Sequence, residues 1–368
     1  MAHDIFSSFL APLLPLLIEK MGMSLSMAAF LNILTRIPSL FNPFFGLIAE
    51  KRGAKYFVIL TPGITAISMS LLGLANTYAV LFVLLFVAGI SAALFHIPSP
   101  TMIKEAAGDR TGTGMSFFMV GGESARTIGP LLVTAAVSWW GLEGIWRLMP
   151  IGLLASLILY VKLKDFDLHR PISKPKEKGD TKKVLKRFAP FLTVLGLYIL
   201  FQAGMKSALT LYLPVYLTGQ GTSLWMAGIA LSVLQFFGVL GTLASGSLSD
   251  KIGRTRTLLL SSTGAVLCMA LFRSTDSIAA LALLGLFLFS ANPVLMAAVQ
   301  DTDSHMPTFM NSMYMSINFG VSLVVVFAVG FLGDLVGLSA TFMVFNIVAI
   351  GAIPIAWILG KQAKRQSA

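Results

Sequence analysis

Apolar residues in this chain come in runs. Twelve mostly apolar stretches follow one another, at about 2–19, 25–49, 55–75, 78–98, 112–139, 144–163, 189–217, 224–248, 256–273, 277–299, 309–333 and 338–360. A membrane-crossing helix needs about 20 such residues. The longest polar interval, residues 162–187, holds ten Lys/Arg, four Asp/Glu and two prolines, and it divides the runs six plus six. The expected organisation is an N-terminal six-helix half over 1–163 and a basic linker over 164–187. A C-terminal six-helix half over 188–361 and a tail over 362–368 follow. The expected fold class is an all-α membrane protein with twelve transmembrane helices in two pseudo-symmetric halves.

Composition agrees with the pattern. The chain is 56% hydrophobic and 12% charged, with a mean hydropathy of +0.83, whereas soluble domains carry about 25% charged residues. Its single cysteine, Cys268, cannot form an internal disulfide and reads as a small buried apolar residue. No phosphate-cradling glycine loop, metal-spaced His/Cys cluster or serine elbow appears. That argues against an enzyme and against a bound cofactor or metal, and makes an ion gradient, rather than ATP, the expected energy source.

The net charge of +11 is a statement about topology. Of the 27 Lys and Arg residues, 21 fall in loops on the linker's side, 3 in loops on the other side and 3 within the runs. Cytoplasmic loops collect Lys and Arg, so the linker and both termini are expected in the cytoplasm of a multi-pass inner-membrane protein. The basic linker then needs no nucleic-acid partner. The expected partners are the lipid bilayer, protons and a small-molecule substrate, with the protein a monomer.

The two halves repeat a short motif. "GLIAEKRGAK" begins at Gly46 and "GSLSDKIGRTR" at Gly246, so that Gly46/Gly246, Glu50/Asp250, Lys51/Lys251 and Gly53/Gly253 are each offset by 200. Both copies follow the second run of their half, which implies a parallel repeat about an axis along the membrane normal. This motif resembles the loop signature of the major facilitator superfamily. The second copy fits through Gly246, Asp250, Lys251, Gly253 and Arg254. In the first, Glu50 stands for the aspartate and Ala54 for a basic residue. Within the superfamily the chain resembles fosmidomycin-resistance-type efflux proteins: Asp4 lies eleven residues before Pro15, "ALFHIPSP" surrounds His96, and "GG" precedes "IGPLL" between Gly121 and Leu132. Two departures stand out. The first helix is expected to be clipped, because the chain starts three residues before Asp4. The related pattern also has neutral residues where Glu123 and Arg126 stand.

The resemblance implies proton-coupled efflux of small organic or drug-like molecules by alternating access. An importing symporter of an organic anion is the alternative, and a lipid flippase or a non-transporting membrane sensor a second one. It also implies a cytoplasmic latch at Gly46, Glu50, Lys51 and Gly53, and again at Gly246, Asp250, Lys251, Gly253 and Arg254. In it Gly46 and Gly246 would permit close helix contact, and Gly53 and Gly253 would suit a turn with positive φ. Gly129-Pro130 resembles the kink motif of antiporter helix five, where Pro130 would remove a backbone hydrogen bond and bend the helix.

Charges inside a membrane helix are costly and mark a partner or a wet cavity. Five stand out: Asp4, Arg36, Glu123, Arg126 and Lys206. Helical rise puts Glu123 about 20 Å from Arg110 and Arg36 about 21 Å from Glu50, both near the midplane. Glu123 and Arg126 are three apart and share a face; they either neutralise each other structurally or open when a proton or substrate arrives. Asp4 is the rival proton site, or else a water-facing carboxylate at a helix start. Arg36, Arg126 and Lys206 would favour an anionic or zwitterionic substrate, unless they snorkel or pair across helices, as Lys206 could with Asp4. His96 is either packing or a proton relay. Gln202, Gln235, Asn292 and Asn318 either bind substrate or join helices by hydrogen bonds.

Overall fold

A computed structural model describes residues 1–41, 54–99, 102–103, 106, 111–164, 181–302 and 307–366. Its regular elements are helices throughout, with no strand among the described residues. The chain clusters into two compact units, one of Met1–Lys174 with Leu217–Ser232 and one of Pro175–Tyr216 with Val233–Ala368. Among the described residues, nine segments are long and apolar enough to cross a membrane.

The first unit holds α1 (Ala2–Ser7), α2 (Leu10–Met21), α3 (Leu25–Leu34), α4 (Ala54–Ser70), α5 (Tyr78–His96), α6 (Thr111–Trp140) and α7 (Met149–Leu163). Two runs expected to be single helices are broken, and proline explains both breaks. The first run divides at Ser8–Phe9 because Pro12 has no N–H for the Ser8 carbonyl. The second ends its α-helix at Leu34 and continues as a 3-10 segment, Ile37–Phe41, because Pro38 cannot donate to the Leu34 carbonyl. Thr35 and Arg36 occupy the turn between them. Caps define the starts: Ser24 accepts from the Met27 amide and Thr77 from the Val80 amide.

In this unit α4 packs between α5 and α7, with the Gly63 amide donating to Ser156 Oγ at 2.8 Å. Ile151, Leu154, Ile158 and Val161 of α7 are exposed at helical spacing, the apolar stripe that lipid covers. Trp139, Trp140 and Trp146 are exposed around the α6–α7 connection, and the Arg147 guanidinium lies over the rings of Trp140 and Trp146. Such aromatic clusters belong at a membrane–water interface.

The second unit contains most of α8 (Thr181–Gly219) and α9 (Leu224–Ile252), with α10 (Arg254–Thr275), α11 (Ile278–Gln300), α12 (Pro307–Ile350) and α13 (Ala352–Gln366). Helix α8 begins inside the basic linker rather than after it. Val184 and Phe188 recur at a four-residue step and pack into the core with Phe191, Leu195 and Tyr198, which turns the end of a polar segment into a helix. The last two runs share one helical stretch that is divided at Gly337, where φ is +79°. Helices α9 and α11 cross backbone to backbone: a Cβ on Gly241 would lie 2.0 Å from the Leu286 carbonyl oxygen. Small residues at crossings are how helices associate where lipid removes the hydrophobic drive between them.

Candidate functional site

Three helices of the first unit converge on a polar cluster in an otherwise apolar setting. From α1 come His3 and Asp4, from α4 Thr65, and from α5 Ser91 and His96. The His96 Nε2 lies 3.1 Å from Asp4 Oδ1. The chain's amino group stands 3.8 Å from Asp4 Oδ2. Thr65 Oγ1 is 2.9 Å from His3 Nδ1 and 2.7 Å from Ser91 Oγ, and the Ser91 hydroxyl donates to the Thr61 carbonyl at 3.0 Å. His3 is stacked on Phe95 with centroids 4.5 Å apart and meets His96 edge-on at 5.5 Å.

Asp4 is therefore no water-facing carboxylate: its side chain is 13% exposed and sits opposite an imidazole on another helix. A group so placed must be paired to remain ionised in low dielectric. Residue 96 terminates α5; Pro98 has no N–H for the Leu94 carbonyl, and at the next position Ser99 Oγ donates to the Phe95 carbonyl at 2.6 Å. His3 is the member that sequence reasoning missed. Its signal is present: a histidine beside the aspartate, at the head of an apolar run, three residues before the fully buried Phe6.

Helix α6 lies against the same cluster. A Cβ on Gly122 would lie 3.7 Å from Asp4 Oδ2, and one on Gly129 only 1.8 Å from Ser8 Oγ. Gly129 and Pro130 are both buried, and α6 runs continuously through them, with Thr134 Oγ1 donating to the Pro130 carbonyl at 2.7 Å. One turn earlier Arg126 Nη1 reaches both Glu123 oxygens, at 3.0 and 3.1 Å. This pair is more open than Asp4, with side-chain exposures of 35% for Glu123 and 54% for Arg126. Arg36 stands in the turn at the α3 break.

The predicted polar residues of the second unit are spread over α8, α9, α11 and α12. Lys206 Nζ lies over the Phe289 ring, 5.0 Å from the centroid. The Gln202 side chain donates to Ser262 Oγ at 3.1 Å, and Tyr198 OH meets the same oxygen at 2.9 Å, so Gln202 joins α8 to α10. Gln235, Asn292 and Asn318 are half-buried on α9, α11 and α12.

The first latch copy, Gly46, Glu50, Lys51 and Gly53, lies outside the described residues. In the second, Arg254 Nη1 donates to Asp250 Oδ1 at 2.5 Å and to Ser249 Oγ at 2.5 Å, while its Nε donates to Asp301 Oδ2 at 3.0 Å. Gly253 has φ +92°, a conformation that side-chain-bearing residues rarely adopt. Lys251 is exposed. Gly246 departs from the close-contact expectation: a Cβ there would meet nothing within 4 Å. Asp301, at the end of α11, is a partner the repeat motif could not reveal, because it lies 47 residues from Arg254. With Asp250 and Asp301 both more than half exposed, neither ion pair adds more than about 1 kcal/mol. Asp301→Asn is expected to shift thermal unfolding by under about 1 kcal/mol yet to slow transport as Asp250→Asn does. Slowing in the double variant no greater than in either single one would show one shared latch; independent, multiplicative losses would refute it.

The family of the chain follows from comparison with known proteins. The Major Facilitator Superfamily profile matches residues 1–324. The MFS-type transporter YfnC of Bacillus subtilis strain 168 is 24% identical over 375 residues, covering 98% of this chain and 89% of YfnC. The fosmidomycin resistance protein of Escherichia coli K12 is 25% identical over 259 residues, covering 68% of this chain and 63% of that protein. In fold, the chain is similar to a bacterial homologue of the human lysosomal transporter Spinster, solved in an inward-facing, unoccupied conformation. The TM-score is 0.75 at 16% identity, covering 99% of this chain and 95% of that one. These relatives are transporters rather than enzymes. The chain belongs to the major facilitator superfamily of membrane transporters.

Proposed function

We propose that this transporter is a proton-coupled exporter of small organic molecules bearing an anionic or zwitterionic group. It works by alternating access, with twelve crossings in two six-helix halves, both termini in the cytoplasm and the protein in the inner membrane as a monomer. The observation that carries the reading is the Asp4–His96 pair, a carboxylate 13% exposed and 3.1 Å from an imidazole on another helix. An ionised Asp4 attracts His96 and holds α1 to α5. A proton on the carboxylate removes that attraction and loosens the contact. Protonation shifts a conformational equilibrium only if the two states bind the proton differently, and a contact between two helices that must move supplies that difference. The groups facing Asp4 are His96, His3 and the amino terminus.

Glu123 is the weaker proton carrier, because its charge is already balanced by Arg126 on its own helix, which moves with it. Export is favoured over import by the Gly129-Pro130 sequence inside α6 and by the name of the E. coli relative. The chemistry needs no cofactor, since a proton gradient supplies the energy.

The test is purified protein in proteoliposomes with an imposed pH gradient, against benzoate, phenylphosphonate and neutral benzamide. An antiporter drives anion into acid-loaded vesicles, opposite to passive weak-acid trapping, and a protonophore collapses the effect. Accumulation in alkaline-loaded vesicles through the protein would establish symport instead. Absence of gradient-dependent flux for every anion would sink the proposal.

A further inference from the structure

The cluster on α1, α4 and α5 carries a ligand pattern beyond its ion pair. His3, Asp4 and His96 each offer one ligand atom, and the three atoms all lie within 4.8 Å of one another. Two imidazoles and a carboxylate suit zinc, cobalt, nickel and ferrous iron better than magnesium or calcium. No local spacing announces the set, because His3 and Asp4 lie at the start of α1 and His96 at the end of α5.

Hydrogen bonds in the cluster fix which nitrogen of His3 carries the lone pair. The Ser91 hydroxyl donates to the Thr61 carbonyl at 3.0 Å, and a carbonyl only accepts. Thr65 Oγ1, 2.7 Å from Ser91 Oγ, must then give its proton to Ser91. Thr65 is left to accept from His3 Nδ1 at 2.9 Å, so Nδ1 holds the proton of the neutral ring. Nε2 therefore presents its lone pair, in a residue only 1% exposed. The Ser7 hydroxyl stands 3.5 Å from that nitrogen but donates to the His3 carbonyl at 3.1 Å. A buried acceptor without a donor at good hydrogen-bond distance is costly, and a bound cation removes that cost. Thr65 is then the outer partner that orients a metal-bound imidazole.

We infer that His3, Asp4 and His96 bind a divalent ion of the zinc class, which clamps α1 to α5 and arrests the transporter. Neighbouring ligands of a tetrahedral zinc stand about 3.3 Å apart, and Asp4 Oδ1 and His96 Nε2 are already 3.1 Å apart. The ion replaces the proton between them, and the His96 ring carries its proton on Nδ1 instead. His96, with 48% of its side chain exposed, gives the ion its way in, and water completes the fourth position. The chain's amino group faces the other Asp4 oxygen, Oδ2, at 3.8 Å and leaves Oδ1 to the metal. A metal held by both helices closes the contact that must loosen in each cycle. The arrest rests on the proton-coupled reading; the binding site does not.

The test is a Co²⁺ titration of the full, tag-free protein in neutral-lipid nanodiscs at fixed pH, followed by visible absorption, with Zn²⁺ as competitor. One equivalent is expected to give the strong visible bands of four-coordinate cobalt, and one equivalent of Zn²⁺ to remove them. Thr65→Val is expected to weaken binding by about 10- to 100-fold, and His3→Gln and His96→Gln by at least as much. His96→Cys is expected to keep the site and to add a thiolate-to-cobalt charge-transfer band, a gain that a misfolded protein would not show. No saturable cobalt band in wild type, or no thiolate band in His96→Cys, would overturn the site. Loss in His3→Gln alone, with Asp4→Asn and His96→Gln binding as wild type does, would assign the ion to the amino terminus and overturn it too. In proteoliposomes Zn²⁺ is expected to stop gradient-driven flux. In Thr65→Val the zinc concentration that halves the variant's own flux should rise by the same factor as its dissociation constant. Bound zinc with no effect on flux would overturn the clamp. Zinc binding in a protein without gradient-driven flux would leave the site standing while the proton-coupled reading fell.

Discussion

Asp4→Asn is expected to abolish the response of transport to a pH gradient, lowering gradient-driven accumulation by about 5- to 150-fold, the range of ordinary coupling free energies. Substrate binding and gradient-free counterflow should survive. Asparagine keeps the shape of the side chain and can still accept a hydrogen bond from His96 across the 3.1 Å gap, so α1 stays docked. It cannot take up and release a proton, and so cannot bind protons differently in the two states. His96→Gln separates the roles. If Asp4 carries the proton and His96 positions it, His96→Gln retains gradient response but shifts its dependence on pH. Equal gradient-driven accumulation by wild type and Asp4→Asn, measured in the same vesicles, would remove Asp4 from the coupling step. Glu123→Gln is the internal contrast: its charge is paired with Arg126 on the same helix, so the variant is expected to keep its response to the gradient.

Gly129→Val is expected to give the largest loss of stability. Its Cβ would fall 1.8 Å from Ser8 Oγ and 2.7 Å from the Ile5 carbonyl oxygen. Ser8 is itself engaged, donating to that same carbonyl at 2.7 Å, so its hydroxyl cannot simply turn away. Helix α1 would have to move off α6, carrying Asp4 with it. Overpacking of this kind costs about 1–3 kcal/mol and sometimes more. Thermal unfolding in detergent measures the loss. Ser8→Ala added to Gly129→Val should recover part of it, because the nearer atom is removed while the backbone oxygen stays. Gly246→Ala is the control: an added Cβ meets nothing there, and the better helix propensity of alanine makes the change neutral or stabilising by up to about 1 kcal/mol. A Gly129→Val protein as stable as wild type would mean that α1 does not pack on α6 as described.

Features set by neighbours in sequence were readable before any coordinates. The apolar runs at 55–75, 78–98 and 277–299 appear as α4, α5 and α11 within a few residues, because a lipid-facing helix needs only length and hydropathy. The Glu123–Arg126 contact follows from a three-residue step on one helix, and the positive φ of Gly253 from the one residue type that adopts it freely. The prolines at 12 and 38 were equally visible, and their breaks were underestimated because an apolar run hides a missing backbone donor.

What joins helices was decided only by the tertiary structure. Asp4 and His96 are 92 positions apart, and either could have been solitary. Their meeting depends on how α1 and α5 are rotated, and that rotation is set by Phe95 stacked on His3 and by Thr65 held between His3 and Ser91. Asp301 reaches Arg254 for the same kind of reason. Periodicity states which face of a helix is polar; it does not state which other helix that face meets. The sequence by itself determined a chain of membrane helices, the places where their backbone is weak and the charges they carry. The fold decided which charges found partners across helices, since partner choice depends on crossing angle and rotation, which side-chain packing sets over distances that no local pattern encodes.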